Sequence, residues 1–139
     1  MSNSDSAASR MSSHPSVLTV EDNAFFARIY RSVFTKLGCR LVQVAAVAEA
    51  LHALDEIRPD LVLVDIRLPD GSGLAVIQAV RARDDLASVP VVAVTTRTNP
   101  ETERIAREAG ATDFLAKPIN LEDLRFMALR HLASAPSDT

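Results

Sequence analysis

The sequence predicts an α/β domain, a doubly wound three-layer (βα)5 sandwich around a five-stranded parallel sheet. Three observations carry this reading. Short apolar runs alternate five times with stretches of helical spacing, without internal repeats, and right-handed crossovers then place helices on both faces of one parallel sheet. The runs are continuously apolar, as strands buried on both faces are. Four of them end at polar groups, Glu21-Asp22, Asp65, Thr95 and Lys117, and sheets of this kind bind ligands just past the carboxyl ends of their strands.

Each element follows from local pattern. Val17 to Val20 is the first strand, and Phe26, Ile29, Val33 and Leu37 then mark one face of a helix that Gly38 closes. Leu41 to Val44 is the second strand, Glu49 to Ile57 a helix, and Pro59 stops it before the third strand, Leu61 to Val64. The loop Leu68 to Gly73 follows Asp65, and Leu74, Ile77 and Val80 with Arg81 begin a third helix. Pro90 opens the fourth strand, Val91 to Val94. Asn99 caps the next helix, with Pro100 in its first turn, Glu101 and Glu103 behind it, and Gly110 after its end. Ile105 is its one large apolar anchor and alanines fill its inner face, so it is expected to pack weakly. Phe114-Leu115 is a short fifth strand, and Asn120 caps a last helix carrying Leu121, Leu124, Ala128 and Leu132. Strand order is not legible in a sequence; an order of 2-1-3-4-5 is expected because it brings the ends of strands one, three, four and five together.

The chain has 139 residues, enough for one domain with a substantial core, here placed at residues 16–133. Residues 1–15, dominated by serine, read as a disordered tail, with Met11 an alternative start, and 134–139 as a polar C-terminal tail. No apolar stretch approaches the ~20 residues of a membrane span, and a net charge of −3 favours neither nucleic acid nor an anionic membrane. Cys39 is the single cysteine, which excludes an internal disulfide and suits a reducing compartment, the cytoplasm. His14, His52 and His131 have no partners at metal spacing and read as surface residues.

Carboxylates held close together repel and need a counter-charge. A divalent cation with oxygen ligands and room for water supplies it, and Mg²⁺ fits that description. Asp65 is then a nucleophile for phosphorus, with Lys117 stabilising the transferred charge. Singly, each residue has an ordinary role. Asp22 is a candidate helix cap, Lys117 a solvated lysine, Thr95 a strand residue bonded to backbone. Their joint placement at four strand ends is what points to phosphoryl chemistry.

Four ordered segments carry a resemblance to a known family. Val20-Glu21-Asp22-Asn23, Leu61 to Gly73 around Asp65, Pro90 to Thr95, and Gly110 to Pro118 with Phe114 and Lys117 together resemble the receiver domain of two-component response regulators, the CheY-like superfamily. The resemblance spans residue 16 to about residue 133 and implies the flavodoxin-like order given above. It implies that Asp65 accepts a phosphoryl group from a sensor histidine kinase or a histidine phosphotransfer protein. Asp22 and Asp65 would hold Mg²⁺ directly, Glu21 through water, and the backbone carbonyl of Arg67 would complete the protein ligands. Thr95 and Phe114 would act as the switch pair, and Lys117-Pro118 would be cis. Phosphorylation would then alter the surface of the fourth helix, fifth strand and fifth helix for a downstream protein. Arg104, Arg107 and Arg125 are candidate contacts there. Homodimers through this surface are common in the family, although the two helices show no apolar stripe that reads as exposed.

The chain departs from the family's commonest pattern at Arg67, Thr96 and Arg97, positions that flank the phosphoryl group; the two arginines are expected to hinder hydrolytic water. A phosphohydrolase with an aspartate nucleophile would need a second acid two residues on, where this chain has Arg67. A flavin carrier would need a phosphate cradle where it has Glu21-Asp22. The stand-alone receiver type is expected, phosphoacceptor rather than enzyme, acting as effector, relay intermediate or phosphate sink.

Overall fold

The computed structural model describes residues 14–96 and 100–133. Strands β1 (Ser16–Val20), β2 (Arg40–Val44), β3 (Leu61–Asp65), β4 (Val91–Thr95) and β5 (Asp113–Ala116) form one parallel sheet in the order β2-β1-β3-β4-β5. Between and after them run α1 (Ala24–Lys36), α2 (Val47–Glu56), α3 (Leu74–Ala82), α4 (Pro100–Ala109) and α5 (Leu121–Ala133). The expected fold class and strand order are both present. The tails expected at the two ends lie, except for His14 and Pro15, outside the described residues, as does the Asn99 cap.

Period-two alternation along the strands sorts the core into two layers. Val17, Leu61, Leu63, Val92 and Val94 pack with Tyr30 and Phe34 of α1 and Leu124, Met127 and Ala128 of α5. Leu18, Val20, Val62, Val64, Val91 and Ala93 pack with Ala50, Ala53 and Leu54 of α2, Val76, Ile77 and Val80 of α3, and Ala106 of α4. β3 and β4 are buried along their whole length, which is why their sequences are apolar without alternation.

The helical faces differ in part from the sequence expectation. On α1 the fully buried pair is Tyr30 and Phe34, flanked by the half-buried Phe26, Ile29, Val33 and Leu37. On α4 the buried residue is Ala106, and Ile105, the expected anchor, is 39% exposed. Weak apolar anchoring of α4 therefore holds, with an alanine on the inner face as expected and Ile105 outside it. On α5, Met127 is buried and Leu121 is 56% exposed, because the inner face runs through 124, 127 and 128. Phe126 and Leu129 then point outward, 68% and 48% exposed, so an apolar surface exists where none was expected. His131 is not a surface residue: its Nε2 lies 3.0 Å from Asp113 Oδ2, half-buried between α5 and β5.

Helix α2 begins at Val47, two residues before the expected start, and its cap explains why. Ala46 offers no side-chain cap. Asp70, from the loop after β3, instead accepts the amides of Val47 at 2.8 Å and Ala48 at 3.0 Å, while Glu49 Oε1 accepts the amide of Ala45 at 2.8 Å. A cap supplied from more than twenty positions away leaves no local signature. These two amides hold the Asp70 carboxyl below its ordinary value of 3.8. A depressed acid contributes stability above its unfolded value and loses it as pH falls through the folded one. Asp70→Ala is expected to lower the melting temperature at neutral pH, and the gap to wild type should close as pH drops below about 3.8; thermal melts across a pH series check both.

Candidate phosphoacceptor site

The site forms where β1, β3 and β5 end. Glu21 extends β1 by one ladder bond, its amide donating to Val44 O at 2.9 Å. Asp65 is the last residue of β3, and Lys117 follows β5, its amide donating to Thr95 O at 2.9 Å. Lys117 Nζ lies 2.7 Å from Asp65 Oδ2 and 2.9 Å from Glu21 Oε2, with all three side chains less than a tenth exposed. Asp22, beside them, is exposed. Oxygens of Glu21, Asp22 and Asp65 come within 4.8 Å of one another. Three carboxylates around one ammonium leave a net negative pocket, partly open through Asp22, and this donor set fits a hard divalent cation.

Local structure aims each group. Asn23, not Asp22, caps α1, with its Oδ1 accepting the amides of Phe25 at 2.8 Å and Phe26 at 3.2 Å. Asp22 is thereby left to the pocket, and the capping alternative for it falls away. The Asn23 amide donates to Glu21 Oε2 at 3.0 Å, and the Arg67 amide to Asp65 Oδ1 at 3.1 Å. The loop after Asp65 turns back through a two-residue hairpin, Arg67–Leu68 against Gly71–Ser72. It closes with the Gly73 amide on Ile66 O at 2.8 Å. A β-carbon at Gly73 would collide with the Asp65 carbonyl and sit 2.9 Å from Val64 Cγ2, so the loop can pass this close to Asp65 only with glycine there.

Burial pushes the Glu21 carboxyl up, against the opposing pull of Lys117 and the Asn23 amide. Burial works to lower the Lys117 ammonium, but its bonds to Asp65 and Glu21 prevail and hold it above the usual lysine value.

A model of the response regulator receiver domain matches residues 17–128. The polar-differentiation response regulator DivK of Brucella anthropi is 36% identical over 106 residues, 76% of this chain and 86% of that protein. The chain belongs to the response regulator receiver family. Among solved structures, the chemotaxis response regulator CheY4 of Vibrio cholerae superimposes with a TM-score of 0.80 at 28% identity, covering 85% of this chain and 98% of that one. The receiver domain of the sensor histidine kinase PA1611 from Pseudomonas aeruginosa, which holds a magnesium ion in its active site cleft, gives 0.78 at 29% identity over 87% of this chain and 99% of that one. The chain is thus a CheY-like receiver of two-component signalling.

The remaining expected residues of the receiver fall around this centre. Thr95 ends β4 and is buried, Thr96 is exposed, and both line a groove with Arg67, Leu74 and Ile105. Arg97 lies outside the described residues. Phe114 is half-buried with the Arg107 guanidinium 4.8 Å from its ring centre, and the Lys117-Pro118 peptide is cis. Of the three arginines expected on the partner face, Arg104 is engaged by Glu101 at 2.6 Å and Glu108 at 2.8 Å, and Arg125 instead borders the groove between α1 and α5. No helix among the described residues is long and apolar enough to cross a membrane.

Two residues at this centre went unread in the sequence. Lys117 Nζ lies over the Phe26 ring, 4.6 Å from its centre, a cation–π contact on the ring face. Tyr30, one turn further along α1, is buried in the layer behind Glu21. The i, i+4 spacing from Phe26 to Tyr30 was the available signal, but it reads as core until the lysine's position is known.

Removing the ammonium leaves two buried carboxylates without their cation. Lys117→Met is therefore expected to destabilise the metal-free protein by about 3 kcal/mol, the scale for breaking a buried pair on one side, as measured by urea denaturation in the presence of a chelator. A raised lysine loses its contribution only as pH rises through the folded value, so the difference from wild type should persist through neutral pH and decline above about 10.5.

Proposed function

We propose that Asp65 accepts a phosphoryl group from the phosphohistidine of a sensor kinase or a histidine phosphotransfer protein. The observation that carries this is Lys117 Nζ held between Asp65 and Glu21 at 2.7 and 2.9 Å, with Asp22 beside them. A carboxylate oxygen of Asp65 attacks phosphorus; the P–O bond forms as the P–N bond to the donor imidazole breaks, and the electron pair returns to that ring nitrogen. Asp22, Asp65 and the Arg67 carbonyl would hold Mg²⁺, with Glu21 beside them acting through water. Mg²⁺ bound there would supply charge neutralisation for the phosphoryl oxygens. Lys117 leaves Asp65 for one phosphoryl oxygen and the Thr95 hydroxyl turns to another.

The expected output is a protein partner. As Thr95 moves, Phe114 moves inward from its place under Arg107, and the face formed by α4, β5 and α5 changes. Support for a protein partner comes from Phe126, which stands exposed on the rim of a groove with Phe114 and Ala116. Large exposed aromatics are suited to anchor an interface. The chain is a signalling phosphoacceptor in this reading, not a turnover enzyme.

Phosphotransfer from radiolabelled kinases tests the acceptor directly. Wild type is expected to gain acid-labile, hydroxylamine-sensitive label within minutes in Mg²⁺ and none in excess chelator, while Asp65→Asn gains none under either condition. Label persisting on Asp65→Asn at the wild-type rate would reject Asp65. The arginines supply a second expectation. Arg67 and Arg97 extend the phosphoryl lifetime by obstructing water, so Arg67→Asn and Arg97→Ala are each expected to speed loss of label severalfold; unchanged decay in both would remove that role.

A further inference from the structure

Strand alternation continues past the end of β1. Val17, Thr19 and Glu21 share one face of the sheet, the face covered by α1 and α5. In this layer three buried polar atoms lack a hydrogen-bond partner: Thr19 Oγ1, Glu21 Oε1 and Tyr30 Oη. Tyr30 is 1% exposed and Glu21 4%. An orphaned oxygen on a buried carboxylate and an orphaned hydroxyl in one apolar layer are both costly, and native interiors rarely keep either without a use.

The two belong together. Burial first, then the charges of Glu21 and Asp65, hold the Tyr30 phenol protonated, and Glu21 is close enough to add a hydrogen-bonding influence, although no bond of good geometry joins them. A protonated phenol can only be a donor to a carboxylate. Glu21 meanwhile has its other oxygen, Oε2, occupied by Lys117 and the Asn23 amide. While Lys117 stays, the carboxylate is compensated on that side. Once Lys117 is drawn away, Oε2 keeps the Asn23 amide but Oε1 still has no protein donor, and that is where a donor is needed.

We propose that Tyr30 is a positioning residue of the acidic cluster, its hydroxyl donating to Glu21 Oε1 and holding that carboxylate in place when Lys117 turns to a phosphoryl oxygen on Asp65. This rests on the acceptor reading above. The phenol acts through Glu21 and touches neither the phosphoryl group nor the donor. Its position on α1, one turn beyond Phe26, ties the helix that walls the lysine to the acid that the lysine leaves.

Tyr30 is the only tyrosine and the chain has no tryptophan, so its own spectrum reports the event. Beryllium fluoride with Mg²⁺ serves as the phosphoryl probe, and uptake is measured by calorimetry. In wild type, saturation is expected to quench tyrosine emission and shift its near-ultraviolet absorption to the red, as the phenol gains a carboxylate acceptor. Tyr30→Phe is expected to take up the probe about threefold to tenfold more weakly, the worth of one hydrogen bond, while its melting temperature without probe equals or exceeds wild type. A purely structural hydroxyl would not separate those two readouts. In a Glu21→Gln background, Tyr30→Phe should add little further loss. Uptake by wild type with an unmoved tyrosine spectrum, or equal affinity in Tyr30→Phe, overturns this inference and leaves the acceptor standing. No uptake by wild type overturns the acceptor reading and this one with it. Should Tyr30→Phe fail to fold, the wild-type spectrum alone still decides.

Discussion

One ammonium group between two buried carboxylates organises this end of the molecule. Glu21, Asp65 and Lys117 come from three different strand ends, and each would be untenable there alone, since an unpaired buried charge costs several kcal/mol. Together they satisfy most of one another's demand, and the surplus is negative. That surplus gives the pocket its appetite for a cation. It would also let Lys117 be drawn off by a third anion: each acid keeps one backbone donor, the amides of Asn23 and Arg67, and what is left to supply is a donor for Glu21 Oε1.

The scaffold explains how three such groups can be held at hydrogen-bond distance. Strands buried on both faces have no freedom to slide, because a one-residue slip would exchange the two core layers. Register therefore fixes where each strand ends, and Glu21, Asp65 and Thr95 inherit their positions from it. The loop after β3 serves both Asp65 and the fold. Gly73 lets it close against the Asp65 carbonyl, and Asp70 reaches across to cap α2.

The fold and the centre were legible because both depend on patterns that are local or periodic. Uninterrupted apolar runs gave the strands, their polar termini gave the site, and the segment around Asp65 gave the family. What escaped notice depends on contacts between distant segments. The Asp70 cap, the buried His131 pair with Asp113 and the Phe26 contact with Lys117 each join residues far apart in the chain, and none leaves a mark in its own neighbourhood. Helix faces were misjudged for another reason. On short helices that are mostly alanine or mixed in character, several stripes compete: the expected alanine face of α4 is the buried one but Ile105 stays outside it, and on α5 packing chose Met127 over Leu121.

The asymmetric anchoring of α4 links the pocket to the outer surface. Its C-terminal end is pinned by Arg81 of α3, whose Nε donates to Gly110 O at 2.9 Å and whose other nitrogens reach Val89 O at 2.7 Å and Thr112 Oγ1 at 3.0 Å. Gly110, at φ 122°, packs against the Arg81 stem where a β-carbon would collide. Beyond Ala106, by contrast, α4 buries no side chain fully, and Ile105 lies in the open groove beside Thr95. Such a helix resists displacement at one end and little at the other. A shift of Thr95 would therefore meet least resistance at the N-terminal end of α4, where Thr102 and Ile105 line the groove with Thr95, while Arg107, over the Phe114 ring, ties the pinned end to β5. Coupling of this kind would need no long relay, because Thr95 and α4 border the same groove.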